Sequence, residues 1–422
     1  MPEIHGLLPI LLMLAALTYG RAQRLEFHLP ASVDLAEIGV FADSPVAEAR
    51  KALQALLANP RDFPALHQAV VPGDQIVIAV GPGVPRAATL VAAVVEYLLA
   101  YEVSAEHLCV LQTLADEKNG TALTSECPAS MRDQITIVTH HPQQREEMGY
   151  LAADEAGEAI LFHRRLIEAD LIIPILAADL ADSTTDGTGH GLYPIFADEK
   201  AQQRFYQQPP EVPSSKRKAG TRTQAPVNLP AESPEWLLGV LFGIQVVAGG
   251  KDEILQLFAG STAVIRREAA RKQAQVWQVS LKQPVETLIA AVTSPQPLSW
   301  EEAARITARL LPLVKSDGSL LLCAELDTEL PPALQQWAAS GLQDDILEEM
   351  KRANYPGWNI ALTLSAAREH ARLYLQSNLD STAVEDLGWT PLKHGEEVAR
   401  LLEQSNTACL LHNADRVIVH VG

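Results

Sequence analysis

Aromatic side chains make up only 5% of this 422-residue chain, so its cores have to be aliphatic. Four cysteines, Cys109, Cys127, Cys323 and Cys409, lie far apart with no C-x-x-C pair. A disulfide framework or a structural zinc site needs closer spacing. Cys109 and Cys323 sit in apolar runs, where a thiol behaves as a small hydrophobe, and a reducing cytoplasm suits all four. Positive charge is scarce: 33 Lys and Arg stand against 52 Asp and Glu, a net −19. Such a surface repels phosphate backbones and anionic lipid, which speaks against nucleic acid and membrane as partners. Long apolar runs are lacking too. The nearest, Leu7–Leu17, is about a dozen residues, too short to span a bilayer. No Lys or Arg precedes it, as a signal peptide would require. The expectation is a buried first strand, or residues upstream of a true start at Met13.

What is present is a globular composition, 47% apolar and 20% charged, on a chain long enough for two domains. Gln23–Pro30 alternates like a strand, and Ser44–Ala58 reads as a helix with Val46, Ala49, Leu53, Leu56 and Leu57 on one face. Gln75–Val80 is a continuous apolar, β-branched run, the pattern of a strand buried on both faces of a parallel sheet. A glycine turn, a helix over Ala87–Tyr101 and a strand over Leu108–Leu114 complete a βαβ unit. Gln134–Thr139 and Ala169–Ile175 read as further strands, with a short periodic segment over Ile160–Ile167. Composition then shifts at Gln207–Pro234, where prolines surround Lys216, Arg217, Lys218 and Arg222. This is an exposed linker or lid; its basic group reads as solvated, and docking of an acidic protein partner at 216–222 is the alternative. Regular structure resumes at Trp236–Ala248 and a helix over Ser261–Gln275. A second α/β series follows: strands over Thr287–Thr293, Ser319–Ala324, Trp358–Leu364, Ala408–Leu411 and Arg416–Val421, and a helix N-capped by Ser299 with Glu301 and Glu302 in its first turn. The fold class is α/β, two domains with mainly parallel, Rossmann-like sheets flanked by helices and a cleft between them. The expected domains are 14–275, which includes the linker or lid 207–234, and 276–422.

In parallel α/β sheets, ligands gather beyond the carboxyl ends of the strands. Four loops qualify. Gly81-Pro82-Gly83-Val84-Pro85-Arg86 lets a ligand approach the backbone through Gly81 and Gly83, beside Arg86 as a fork for a carboxylate. It is neither a Walker loop nor G-x-G-x-x-G, and a tight turn with a surface arginine reads equally well. Ala115–Thr121 offers Asp116, Glu117 and Lys118, which a solvated charged loop also would. His140-His141-Pro142 places adjacent imidazoles on opposite faces of a strand, so they cannot share one metal; a satisfied structural histidine is the first reading, and His141 is the candidate acid or base to enter the cleft. Asp186–Pro194 sets three glycines in five residues around His190, with Tyr193 behind it, which makes His190 and Tyr193 candidate acid/base or ligand residues; a mobile loop with an incidental histidine is the other reading. No metal ligand set is expected. The third alternative, metal-dependent chemistry using His190 with Asp186 or Asp198, depends on a loop bringing them together.

Taken in order, these segments resemble the nickel-pincer lactate racemase family from about Tyr19 to Gly422. Tyr19-Gly20 through Leu29-Pro30 is similar to its first strands, and Ile76–Arg86 falls on its strand and Asp-His-Thr-Arg-Pro loop. Val138-Thr139-His140-His141-Pro142 through Met148-Gly149 resembles its His-Asp-rich strand end. Ala169-Asp170-Leu171-Ile172 matches its "ADL" strand, and Pro297-Leu298 and Leu411–Val421 are also similar. The resemblance implies a 2-hydroxy acid isomerase with a covalently anchored nickel pincer nucleotide and histidines on both faces of its substrate. The positions that would carry this chemistry depart from it. Gly81-Pro82-Gly83-Val84 stands for Asp-His-Thr-Arg, and Asp116-Glu117-Lys118 for a catalytic histidine. Asp179–Thr185 replaces the histidine after the "ADL" strand, and His190 takes the place of the anchoring lysine. No nickel-ligating histidine lies between Phe196 and Gln207. The expectation is a racemase-like protein that binds a small carboxylate or hydroxy acid without pincer hydride chemistry; a non-enzymatic binding or assembly paralogue is the alternative.

Overall fold

The computed structural model describes residues 13–40, 43–118, 120, 122–153, 157–178, 191–206, 234–250, 252–294 and 297–421. They form two compact units, one joining the residues up to Val40 to those from Val279 on, the other comprising the described residues between.

The amino-terminal segment starts as a hairpin of β1 (Met13–Tyr19) and β2 (Gln23–Leu29), antiparallel with Met13 opposite Leu29. Alternation along β2 turns Leu25 and Phe27 inward and Gln23, Arg24 and Glu26 outward, the period of two that a half-buried strand needs. Leu17 is fully buried and Leu14 exposed, so the first strand is half-buried and not wholly buried as expected. Next comes β3 (Asp34–Ile38).

The middle unit carries β4 (Ile76–Val80), β5 (Leu108–Thr113), β6 (Thr136–His140), β7 (Met148–Ala153), β8 (Ala159–His163), β9 (Leu171–Ala177), β10 (Phe242–Ala248) and β11 (Ile254–Ser261). Its main sheet has the order β11-β10-β9-β4-β5-β6, parallel throughout except where β11 returns antiparallel on β10. Every residue of β4 is buried, as the uninterrupted apolar run requires when helices cover both faces. Helices Ala49–Ala58 and Ala87–Ala100 pack on Ile76, Ile78 and Val80, while Val77 and Ala79 on the other face meet Phe162, Leu166 and Phe196; helix Thr262–Trp277 packs on β10 and β11, and β7 and β8 form a separate antiparallel hairpin.

The carboxyl-terminal residues add β12 (Gln278–Leu281), β13 (Val285–Ala291), β14 (Val314–Cys323), β15 (Arg372–Gln376), β16 (Thr390–Pro391), β17 (Thr407–Leu411) and β18 (Ile418–Val421). The second six-stranded sheet runs β16-β15-β14-β13-β17-β3 with every pairing parallel. Both sheets are thus of the parallel, helix-flanked kind expected. The pairing of β3 with β17, Leu35 opposite Ala408, carries the segment before Val40 into the unit formed by the chain's end. An edge of the second sheet is therefore closed by a strand from the amino-terminal segment.

Trp358–Leu364, expected as a strand, is the start of helix Trp358–His370. Ile360, Ala361, Leu364 and Ala367 are its buried apolar residues, at helical spacing, a period that a short apolar window does not separate from a strand. Helix Trp300–Leu310 opens with a reciprocal cap: Ser299 Oγ accepts from the Glu302 backbone N–H at 3.2 Å while Glu302 Oε2 accepts from the Ser299 N–H at 3.0 Å. Replacing Ser299 by Ala should lower the urea midpoint by the equivalent of about 1 kcal/mol. An unchanged midpoint would show that the cap adds nothing. Among the described residues, no helix is long and apolar enough to cross a membrane. All four cysteines are buried and free.

Candidate functional site

In the main sheet of the middle unit, β4 lies between β5 and β9, so the connections leaving its neighbours diverge at this point. Such a switch point opens a crevice beyond the carboxyl ends of the strands. Gly81–Arg86 is the loop that leaves β4 there. The Gly81 N–H donates to Ile175 O of β9 at 2.9 Å, and a Cβ on Gly81 would come within 2.8 Å of Leu176 Cδ2. The loop backbone is therefore pressed against β9, whereas Gly83 has open space around it. Arg86 heads helix Ala87–Ala100 with φ 51°, a left-handed conformation that costs a non-glycine residue about 1 kcal/mol or more. Its backbone N–H donates to Asp252 Oδ1 at 2.7 Å, so a carboxylate already rests on this helix start.

At the end of β5, Asp116 is not in an open charged loop. Residues Leu114–Lys118 form a helical turn closed by a reciprocal pair. The Asp116 carboxylate accepts from Thr113 Oγ1 at 2.5 Å and from the Thr113 N–H at 3.3 Å, and Thr113 Oγ1 accepts from the Asp116 N–H at 3.3 Å. Asp116 is 5% exposed. Burial pushes its carboxyl pKa up, against the lowering pull of the Thr113 hydrogen bonds. Lys118 is exposed at the end of the turn. A second chain of contacts crosses to β6: Gln112 Nε2 donates to Thr139 Oγ1 at 2.9 Å, which donates to Glu117 Oε1 at 3.1 Å.

The two histidines at the end of β6 differ in environment. His140 is 2% exposed, and His141 is half-buried. His140 Nε2 meets Ala197 O at 3.0 Å, while its ring stands edge-on to His163 at 5.7 Å and to Phe196 at 5.6 Å. Burial, then the His163 imidazole, hold His140 down to a pKa of about 3; burial, then the Arg165 guanidinium, hold His163 at about 4. Both are neutral imidazoles at pH 7. His163 had no signal in the sequence, since its partner stands on another strand.

Tyr193 is packed among apolar rings, 6.2 Å from Phe162 and 5.6 Å from Phe205, which suits a structural side chain better than an acid or base free to move. Asp198 Oδ1 accepts from the Leu161 N–H at 3.4 Å. His190, Asp186 and the basic group at 216–222 lie outside the described residues. Among the sites expected from the sequence, adjacency in the sheet brings together the ends of β4, β5 and β6: Gly81, Gly83 and Arg86, then Asp116 and Lys118, then His141. Among the described residues, no three His, Cys, Asp or Glu side chains gather as a metal site. A small cavity of about 90 Å³, lined by Gln75, His107, Cys109, Arg165 and Glu168 among others, opens at the amino ends of the same strands, away from these loops.

Residues 19–176 match the family described as the lactate racemase N-terminal domain. No curated protein matches the chain. Among solved structures, the lactate racemase apoprotein from Thermoanaerobacterium thermosaccharolyticum superposes with a TM-score of 0.68 at 15% identity, covering 97% of this chain and 100% of that one. A crystal structure of a protein from Thermotoga maritima gives a TM-score of 0.63 at 12% identity, covering 91% and 100%. At such identities the likeness is one of fold. The class is the helix-flanked, parallel-sheet α/β architecture of these structures. Within it, the part of the chain that matches the lactate racemase N-terminal domain runs from the end of β1 into β9.

Proposed function

We propose that this lactate-racemase-like protein holds a small carboxylate or 2-hydroxy acid beyond the carboxyl ends of β4 and β5 and does not run nickel-pincer hydride chemistry. Arg86 carries the reading. It keeps a costly left-handed backbone at the switch point, its N–H on the carboxylate of Asp252, and strain of this kind persists where surrounding structure and use demand it. A guanidinium beside such a backbone is a fork for a ligand carboxylate, and Gly83, with open space around it, leaves the approach clear of side chains.

The pincer cofactor that the resemblance implies finds poor support among the described residues. Where a catalytic imidazole is called for, β5 leads into Asp116, Glu117 and Lys118. Asp116 is turned onto Thr113, and the nearby imidazole of His140 is buried on a backbone carbonyl. These residues do not fit the group.

Calorimetric titration of the purified protein with lactate, alongside Arg86→Ala, tests the binding site. A lost charge-assisted bond should weaken affinity about tenfold or more. Equal affinity in both proteins removes Arg86 from the site. Stoichiometric nickel together with racemisation of lactate would overturn the proposal that pincer chemistry is absent.

A further inference from the structure

His140 and His163 are a deeply buried pair of imidazoles outside the loops proposed to hold ligand, 2% and 3% exposed. Their neighbours fix their tautomers. A carbonyl accepts and cannot donate, so His140 Nε2 carries its proton toward Ala197 O and Nδ1 is bare. His163 Nδ1 accepts the Arg165 backbone N–H at 3.2 Å and thereby caps helix Arg164–Ile167, so its proton sits on Nε2. Neither His140 Nδ1 nor His163 Nε2 has a hydrogen-bond partner among the described residues. His163 cannot offer Nε2 as a lone pair to a metal while Nδ1 accepts, since a neutral imidazole has one bare nitrogen.

The pair lies under the segment Gly191–Tyr206. That segment is fastened to β6 and β8 through His140 to Ala197 O at 3.0 Å, the His163 N–H to Phe196 O at 3.0 Å, the Asp198 N–H to Leu161 O at 3.0 Å and the Glu199 N–H to Pro142 O at 3.0 Å. Phe196 and Ala197 are fully buried against the histidines' surroundings.

We propose that His140 and His163 form an acid-released latch, their neutral imidazoles holding the segment Gly191–Tyr206 closed on β6 and β8 and their protonation letting it go. A proton added to His140 Nδ1 is an N–H buried without an acceptor. A proton added to His163 Nδ1 sets a donor against the Arg165 N–H and removes the helix cap. Two imidazolium rings 5.7 Å apart also repel. The charged and titratable groups facing the pair are His141 from the end of β6, Arg165 from the helix Arg164–Ile167, and Glu147 from the turn before β7, whose Oε2 lies 3.8 Å from His163 Nε2. His141 and Arg165 oppose protonation, and the partly exposed Glu147 favours it weakly. On the segment itself, Asp198 is engaged by Leu161 and Glu199 by Gln143. Opening hydrates the rings and returns them to an ordinary titration.

Hydrogen exchange of the Gly191–Tyr206 amides at pH 7 and pH 5, corrected for intrinsic exchange, tests the latch in the full chain. Each imidazole that is neutral when closed and titrates near 6.5 when open raises the open population roughly 20-fold over that interval. Protection of the segment should therefore fall by more than tenfold while that of β13, β14 and β17 holds. His140→Gln keeps a donor for Ala197 O, and His163→Asn keeps a capping acceptor. The double variant should show pH-independent protection. Unchanged protection in the wild type, or the same loss in the double variant, overturns the latch. Should the double variant not fold, imidazole resonances of the wild type decide: both rings protonated while the segment stays protected overturns it equally.

Discussion

Gly395→Ala is expected to cost the terminal unit about 3 kcal/mol or more, read as a large fall in its urea midpoint. Gly395 starts helix Gly395–Glu403, which packs on β2. An added Cβ would stand 1.7 Å from Glu26 O, 2.8 Å from Glu26 C and 3.2 Å from Phe27 Cα. These are backbone atoms of a strand, and no rotamer change clears them. The helix would have to withdraw from β2, opening the cluster in which Leu25 and Phe27 meet Val398, Leu401 and Leu402. Gly73→Ala is the control, a residue at φ 99° with nothing within 4 Å, where left-handed strain alone should cost about 1 kcal/mol. Equal losses in the two variants would show that contact with β2 plays no part.

The second large effect belongs to the middle unit. Trp277→Ala should lower its stability by about 3–5 kcal/mol. Trp277 closes helix Thr262–Trp277 at 1% exposure, and its indole N–H donates to Ala248 O at 3.0 Å. Alanine removes the largest kind of side chain from the core and leaves that carbonyl without this donor. Trp277→Phe separates the two, keeping a ring while losing the N–H, and should cost about 1–2 kcal/mol. If phenylalanine proves as damaging as alanine, the hydrogen bond and not the packed volume dominates.

The strands of both sheets were legible where burial on two faces leaves an unbroken apolar run, as in Gln75–Val80, Ala169–Ile175 and Thr287–Thr293. Helices with one apolar stripe, such as Ala87–Ala100, were equally clear. Trp358–Leu364 was misassigned because seven apolar-rich residues carry too little periodicity to choose between a strand and a helix. The hairpin of β7 and β8 was missed because its strands are half-exposed and irregularly patterned. At the site, the order of loops along the sheet edge followed directly from the strands. The inward turn of Asp116 does carry a signal, the spacing Thr113-x-x-Asp116 of a reciprocal cap. His163 had none. Its environment is made by His140 and Arg165 together, and such a meeting is a property of packing and not of spacing.

The pairing of β3 with β17 bears on how the chain assembles. Asn413 Nδ2 donates to Gly39 O across 374 residues, so β3 cannot join the second sheet until the chain has been made as far as β17. The middle unit, whose strands all lie within the chain that emerges in between, is free to close first. Through that interval the nascent amino-terminal strand has no ladder to join, and a truncation that removes residues up to Val40 would leave β17 as a bare edge of the kind that invites pairing with another molecule.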